Sequence, residues 1–387
     1  MSPPFDSRFG ADPANADAWR QDPRVVLVLD AGGTSLRFTA IQGGRELLDE
    51  PCTLPSCGDD LERSLAQITR GFATVHAATA RRAVALSLAF PGPADYRRGI
   101  IGDPPNLTAF RGVPLGPMLA AQFGLPTFAN NDGALFAYGE ALGGLLPFVN
   151  GRLAAAGSAR RFRNLLGATF GTGFGGGIVI DGKLVLGDNS SAGQIWMMRH
   201  RDERRAIAEE GVSIRAVRRD YAAATGVALD EVPEPKQIAR IATGEAPGDQ
   251  RAASEAFRRL GQVAGDAIAN ALTLIDGLVV LGGGLSGAAG LFRAALLDEL
   301  NGQLETAGGP IRRLPFAVVD LDDPAGLAAL VGDTPGELAV PGTDRTVTDS
   351  PPRLSGLGVT RLGTTAAIAL GAYAYALGEI TAGAGAG

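Results

Sequence analysis

Short apolar runs alternate with glycine-rich turns and longer amphipathic stretches along the whole chain. Val25-Val-Leu-Val-Leu29 enters the turn Asp30-Ala31-Gly32-Gly33-Thr34, and Leu36-Arg-Phe-Thr-Ala-Ile41 leaves it with period-two alternation, which predicts a strand-turn-strand hairpin. An amphipathic helix follows near Leu61 to Ala80, then a strand from Ala83 to Phe90 that Pro91-Gly92-Pro93 stops. A loop from Asp95 to Gly112, a helix near Leu115 to Phe123 and a strand from Pro126 to Ala129 lead to Asn130-Asn131-Asp132 and a helix from Gly133 to Leu142. The second half opens with strands around Gly171-Thr172-Gly173-Phe174-Gly175-Gly176-Gly177, passes a polar segment from Gly187 to Ala208 and becomes largely helical. One long apolar-periodic helix, Ala252 to Leu274, feeds the strand Gly277 to Leu281 and a third turn, Gly282-Gly283-Gly284. After a helix near Leu291 to Leu300, residues 310–352 are rich in Pro, Gly and Asp, carry one strand at Phe316 to Leu321 and read as a loop-bearing insertion. A helix from Thr364 to Leu377 closes the chain and is expected to pack back onto the N-terminal domain.

The three glycine turns change the picture from fold to chemistry. A turn without Cβ atoms lets backbone N–H groups approach and cradle phosphate oxygens. Each turn alone reads as an ordinary hairpin; the three in this order, with a carboxylate at Asp132 between the first two, describe a divided nucleotide site. Gly171-x-Gly173-x-x-Gly176 matches the dinucleotide fingerprint as a string, but that fingerprint must open a helix, and Ile178 to Val185 alternates like a strand. No Gly-x-x-x-x-Gly-Lys-[Ser/Thr] string occurs, which excludes a P-loop.

At 387 residues the chain suggests two domains. A net charge of −6 without a dense Lys/Arg run argues against nucleic acid as a partner, since the basic stretch Arg199 to Arg205 is interrupted by Asp202 and Glu203. The N terminus lacks the basic start and apolar core of a signal peptide, and residues 267–285 and 364–377 are broken by Asp276 or too short to span a bilayer, so a cytoplasmic protein with no membrane partner is expected. Cys52 and Cys57 are too few for a disulfide framework.

Between Val25 and Leu377 the chain resembles the ROK family of bacterial sugar kinases, relatives of glucokinase within the actin, Hsp70 and hexokinase superfamily. The resemblance rests on Asp30-x-Gly32-Gly33-Thr34-x-x-Arg37, Phe90-Pro91-Gly92-Pro93, Asn106-Leu107, Asn131-Asp132, Gly171-Thr172-Gly173-x-Gly175-Gly176-Gly177, Asp181-Gly182-Lys183-Leu184, Ala192-Gly193-Gln194-Ile195, Gly282-Gly283-Gly284 and Leu362-Gly363 with its helix. It implies an α/β, two-domain actin/hexokinase-like (ribonuclease H-like) fold with a cleft between the domains. The expected division is an arm over 1–23, a small N-terminal domain over 24–129 completed by a helix over 361–380, and a large domain over 130–360 carrying the insertion at 310–352.

The implied activity is an ATP-dependent hexose kinase, most simply a glucokinase acting on the sugar 6-hydroxyl; a kinase for an N-acetylated or epimeric hexose and a non-catalytic sugar-binding protein are the alternatives. Asp132 is then the base that accepts the hydroxyl proton, its plain alternative being a helix N-cap. Asn106, Asn131, Gln194 and Gly92 are expected at the sugar, with Glu209 or Glu210 as a second carboxylate there; Asn106 is otherwise a turn former and both glutamates otherwise solvated helix-start charges. The Gly32-Gly33-Thr34 and Gly171-Thr172-Gly173 turns should face each other and hold the phosphates of ATP, with Gly282, Gly283 and Gly284 against adenosine. Asp30 is expected to steer Mg2+ through water, and Arg37 to support the phosphates or to lie on an exposed strand face. A homodimer is expected.

Two departures stand out. The family's Cys/His zinc cluster, expected soon after Ile195, is missing, and Met197 stands where a histidine would, so no zinc is expected. His200 reads as a solvated surface residue. Gln194 occupies the place of a sugar-binding glutamate.

Overall fold

The computed structural model describes residues 18–105, 107–332, 336–349 and 353–384. They pack as two compact units, the first drawn from residues 1–144, 177–193 and 361–387 and the second from 145–176 and 194–360. Asn106 and most of the expected N-terminal arm lie outside the described residues.

In the first unit, Val25–Ala31 pairs antiparallel with Ser35–Gln42 and parallel with Ala83–Ala89, which pairs parallel with Thr127–Asn130. Arg45–Glu46 and Cys52–Pro55 flank Ser35–Gln42. Alternation divides the faces: Leu27, Leu29, Phe38 and Leu88 join Ile68, Phe72 and Val75 of the helix Leu61–Ala78 in one apolar cluster. That helix lies tight against the sheet because Gly71 leaves the room that the Phe38 ring occupies. On the opposite face, Ser87 Oγ donates to the Ala372 carbonyl at 2.8 Å, fixing the closing helix Thr364–Ala384. This helix runs beyond the expected Leu377, because Gly and Ala in its last turns do not interrupt a helix that other elements hold.

The closing helix packs on the helix Asp132–Gly143 almost backbone to backbone. A Cβ on Gly139 would collide with the Ala367 carbonyl, and one on Gly371 with the Leu135 carbonyl. Glu140, fully buried, accepts the N–H groups of Leu362 at 3.1 Å and Arg361 at 3.3 Å, so its carboxyl caps the approach to the closing helix from inside the core.

A second six-stranded sheet runs in the order Lys183–Leu184, Phe174–Ile180, Leu165–Phe170, Leu278–Gly282, Leu354–Val359, Ala317–Asp320. Leu278–Gly282 is parallel to both neighbours. In the second unit the long helix Gln250–Ile275 packs on Ala289–Leu300, with Gly261 and Gly265 at the closest approach. Phe170 stacks on Phe292 at 5.2 Å, which seats the strand before the second glycine turn on that helix pair.

The described residues within 310–352 carry further regular structure besides the expected strand. Ala317–Asp320 is an edge strand of the second sheet, parallel to Leu354–Val359, and Asp323 caps the helix Pro324–Val331 with Pro324 at its start. The remaining turn residues serve two hairpins, Gln303–Thr306 with Gly309–Arg312 and Gly336–Ala339 with Thr346–Asp349. Among the described residues, no helix is long and apolar enough to cross a membrane.

Candidate active site

The first unit carries its site at the C-terminal ends of its parallel strands, where open α/β sheets collect ligands. Strand register places Arg37, Asp30, Ala89 and Asn130 in one row across four strands. Asn131 and Asp132 follow immediately. Asn131, in extended conformation, is the helix N-cap and accepts the Ala134 N–H at 3.2 Å. The cap alternative weighed for Asp132 thus belongs to its neighbour, because the helix begins one residue earlier than its Gly133 start in the sequence reading. Asp132 is the first helical residue, partly accessible, and its Oδ1 accepts the adjacent Gly133 N–H at 2.9 Å. Burial pushes the Asp132 carboxyl above the ordinary range, against the pull of the Gly133 N–H, its own N–H and the Asn131 side chain.

Asp30 is raised to about 7, first by burial and then by the charge of Asp132, with Arg37 opposing. Arg37 is itself engaged by Glu46, its Nη2 lying 2.9 and 3.0 Å from the two carboxylate oxygens. Asn130 accepts the Asn131 N–H at 2.8 Å, while its Nδ2 is buried without a hydrogen-bond partner.

The first glycine turn closes through Gly32 N–H to the Ser35 carbonyl, 2.9 Å, and leaves Gly32, Gly33 and Thr34 exposed. Ser56 holds it from outside: its hydroxyl donates to the Gly33 carbonyl at 2.6 Å and its N–H to the Thr34 carbonyl at 3.1 Å. Gly92 sits against Tyr96, a buried residue whose hydroxyl donates to the Phe90 carbonyl at 2.9 Å and accepts Asn131 Nδ2 at 3.4 Å.

The second unit brings the second and third glycine turns together. A Cβ on Gly171 would lie 4.0 Å from the Gly284 nitrogen, and Leu285 N–H donates to the Phe170 carbonyl at 2.9 Å. Gly283 is in the left-handed region, φ +86°, and a Cβ there would strike the Phe170 backbone, so only glycine fits. The second turn closes through Gly171 N–H to the Gly173 carbonyl, 3.0 Å.

Glu209 and Glu210 separate clearly. Glu209 Oε2 accepts the Phe174 N–H at 2.9 Å, and its Oε1 accepts Arg215 Nη2 at 3.2 Å. Arg215 also reaches the Thr172 carbonyl, at 3.4 Å. Glu209 therefore braces the second glycine turn, and a Cβ on Gly173 would collide with its carboxylate. Glu210 pairs with Arg219 at 3.3 Å on the exposed side of the helix Ile214–Thr225 and lies 3.9 Å from the same Arg215, but among the described residues it makes no bond to the glycine turn. Gln194 is partly buried, and its Oε1 accepts the Trp196 indole N–H.

His200 is buried, not solvated as its arginine-rich surroundings suggest. Its Nδ1 accepts the N–H groups of Asp202 and Glu203, both at 3.1 Å, and its ring abuts Gly211, so it folds the loop that follows it. Met197 is 59% exposed. Among the described residues, no group of three or more His, Cys, Asp or Glu side chains is arranged to hold a metal ion.

Sequence reasoning missed Tyr96, Ser56, Asn130, Arg215 and Trp196. Asn130 had a signal, its place beside Asn131-Asp132; the others lie in loops or on a helix face, and only the fold brings them to the motifs.

Against known proteins, residues 26–310 match the model of the ROK family, well over half of the chain. The crystal structure of a glucokinase from Parabacteroides distasonis is similar over 93% of this chain and 99% of that one, with a TM-score of 0.81 and 48% identity. A Vibrio cholerae N-acetyl-D-glucosamine kinase is 30% identical over 66% of this chain and 83% of its own length. A ROK family glucokinase from Streptomyces griseus, solved with glucose and AMPPNP, shares the fold at a TM-score of 0.60 and 20% identity, covering 91% of this chain and 98% of that one. With the actin/hexokinase-like fold of these neighbours and a family model spanning both glycine hairpins, the chain belongs to the ROK family.

Proposed function

We propose that this ROK sugar kinase transfers the γ-phosphoryl group of ATP to the 6-hydroxyl of a hexose, glucose first. The observation that carries the reading is Asp132: a partly accessible carboxylate at the start of a helix, beside Asn131, with its proton affinity raised by burial. A raised carboxyl is a better base for a sugar hydroxyl, provided it is ionised at working pH. The hydroxyl oxygen attacks the γ-phosphorus as the bond to the β-phosphate oxygen breaks; Asp132 takes the hydroxyl proton, ADP leaves, and the proton passes to solvent. Asn131 orients the hydroxyl.

The glycines of the first turn, exposed and unencumbered by side chains, and the paired Gly171 and Gly282 turns suit phosphate and nucleotide binding through backbone N–H groups. The Glu209 brace keeps the Gly173 turn in shape for that role. Asp30 fits Mg2+ held through water: Arg37 is engaged by Glu46, burial and then the charge of Asp132 raise Asp30 to about 7, and a cation there would favour the ionised form of both carboxylates. Bound there, Mg2+ supplies neutralisation of the phosphate oxygens. The similarity to the Parabacteroides distasonis glucokinase supports glucose as the first substrate to try.

A second reading, an N-acetylated hexose, is favoured by Gln194. The Trp196 indole N–H orients the amide by donating to its oxygen, and the Gln194 NH2 is a donor that a glutamate would lack and that suits an acetamido carbonyl. We further propose a cytoplasmic homodimer that works without zinc. A sugar panel coupled to ADP release tests the function: turnover with glucose supports the first reading, turnover only with N-acetylglucosamine the second, and none with any hexose overturns both.

A further inference from the structure

We propose that Tyr96 is a positioning residue that locks the Asn131 amide in one orientation, so that the sugar hydroxyl meets an N–H of Asn131 and its own proton is left for Asp132. The proposal rests on the hexose-kinase reading above, and its structural half stands without it.

The bonds around Asn131 have a single consistent direction. Its Oδ1 is occupied as the helix cap by the Ala134 N–H at 3.2 Å. Its Nδ2 donates one proton to the Tyr96 hydroxyl at 3.4 Å. Tyr96 can accept there because its own proton goes to the Phe90 carbonyl at 2.9 Å. The Phe90 carbonyl is in turn held in place, since the Phe90 N–H donates to the Asn130 carbonyl at 2.9 Å. A flipped amide would turn its NH2 toward the Ala134 N–H, donor against donor, and its oxygen toward a phenol whose proton is already given away.

The other N–H of Asn131 is directed at the Asp132 carboxylate, and a sugar hydroxyl seated between the two accepts it there. A hydroxyl that accepts this N–H must direct its own proton elsewhere, and Asp132 is the adjoining carboxylate. An amide oxygen in the same place would instead compete with Asp132 for that proton. Tyr96 thus contributes to the orientation of the attacking hydroxyl without touching it. Its phenol stays protonated because burial raises it well above its ordinary range. Gly92 makes the room: a Cβ there would lie 2.9 Å from the Tyr96 hydroxyl and 3.8 Å from Asn131 Nδ2.

The experiment combines Tyr96→Phe with two readouts on the full chain. In sugar-free protein labelled with 15N-asparagine, the Asn131 side-chain amide signals, assigned by their loss in Asn131→Ser, should shift in Tyr96→Phe and exchange faster with solvent. In the steady state, kcat/KM for the preferred hexose should fall about tenfold, the scale of one hydrogen bond, with KM for ATP held within about twofold. Gly92→Ala, which presses a methyl on the hydroxyl, should reproduce both changes. Tyr373→Phe, which removes a hydroxyl bonded to Gly43 N–H at 2.9 Å on the closing helix, should lower Tm without either change. Unmoved Asn131 signals, or an unchanged kcat/KM in folded Tyr96→Phe, would overturn the role. A parent that phosphorylates no hexose would defeat the functional reading by itself, and the amide signals would still decide whether Tyr96 holds Asn131.

Discussion

The carboxylate of Glu209 accepts the backbone N–H of Phe174 at 2.9 Å, tying a short turn after the polar segment to the exit of the second glycine turn. Its neighbour Glu210 faces Arg219 and, at 3.9 Å, the Arg215 that Glu209 also holds. One residue of difference in sequence therefore separates a brace of the proposed nucleotide site from a surface ion pair.

Glu209→Gln should raise KM for ATP several-fold and lower Tm, because a neutral amide loses the charge-assisted bond to Phe174 N–H and to Arg215. Glu210→Gln should change Tm and both KM values little, as exposed pairs contribute roughly 0–1 kcal/mol. Steady-state kinetics with ATP varied, alongside thermal melts, would check the pair; equal effects from the two variants would remove the brace from the account.

Asp132→Asn should keep the fold and nucleotide binding and lower kcat by at least about a hundredfold, the scale of general-base loss. Helix capping is unaffected, since Asn131 supplies the cap. Near-normal turnover in a folded variant would sink the assignment.

Asp30 predicts a pH dependence of stability. Its carboxyl titrates at about 7 in the folded chain against an ordinary value of 3.8, so between these values the folded state binds more protons than the unfolded. Stability contributed by this group is therefore full below about pH 4 and is lost as pH rises to about 7. Asp30→Asn should flatten that slope and raise Tm by a few degrees at pH 8, in protein free of nucleotide and metal. Melts from pH 4 to 8 decide it; an unchanged slope would refute the coupling.

Gln194→Glu tests the sugar contact. If Gln194 meets the sugar, a carboxylate should change KM for the preferred hexose by roughly tenfold and reorder hexoses that differ at the first two carbons, with KM for ATP nearly fixed. The Trp196 indole keeps an acceptor in either variant. Identical sugar profiles would remove Gln194 from the site.

Metal analysis of the purified protein should find no stoichiometric zinc. The loop where the family places its cluster is folded by His200, whose Nδ1 takes two backbone N–H groups. One zinc per chain, with Tm falling on its chelation, would overturn this expectation.

The sequence by itself determined the hairpins at Val25–Gln42 and Leu165–Ile180, the long helix Gln250–Ile275 and the three glycine turns, because each is written in local periodicity and in residues without Cβ. It also put Asn131 beside Asp132 at a helix start, since capping chemistry is local. Tertiary structure decided what those residues do to one another. The row from Arg37 through Asp30 and Ala89 to Asn130 depends on how the first hairpin registers with two strands far along the chain. The strand expected at Phe316 to Leu321 is there as Ala317–Asp320, and only its pairing with Leu354–Val359 decided which sheet it joins. His200 is buried, and Arg37 engaged by Glu46, for the same reason: a side chain's partner is fixed by which elements pack together, and a linear pattern carries no record of that contact.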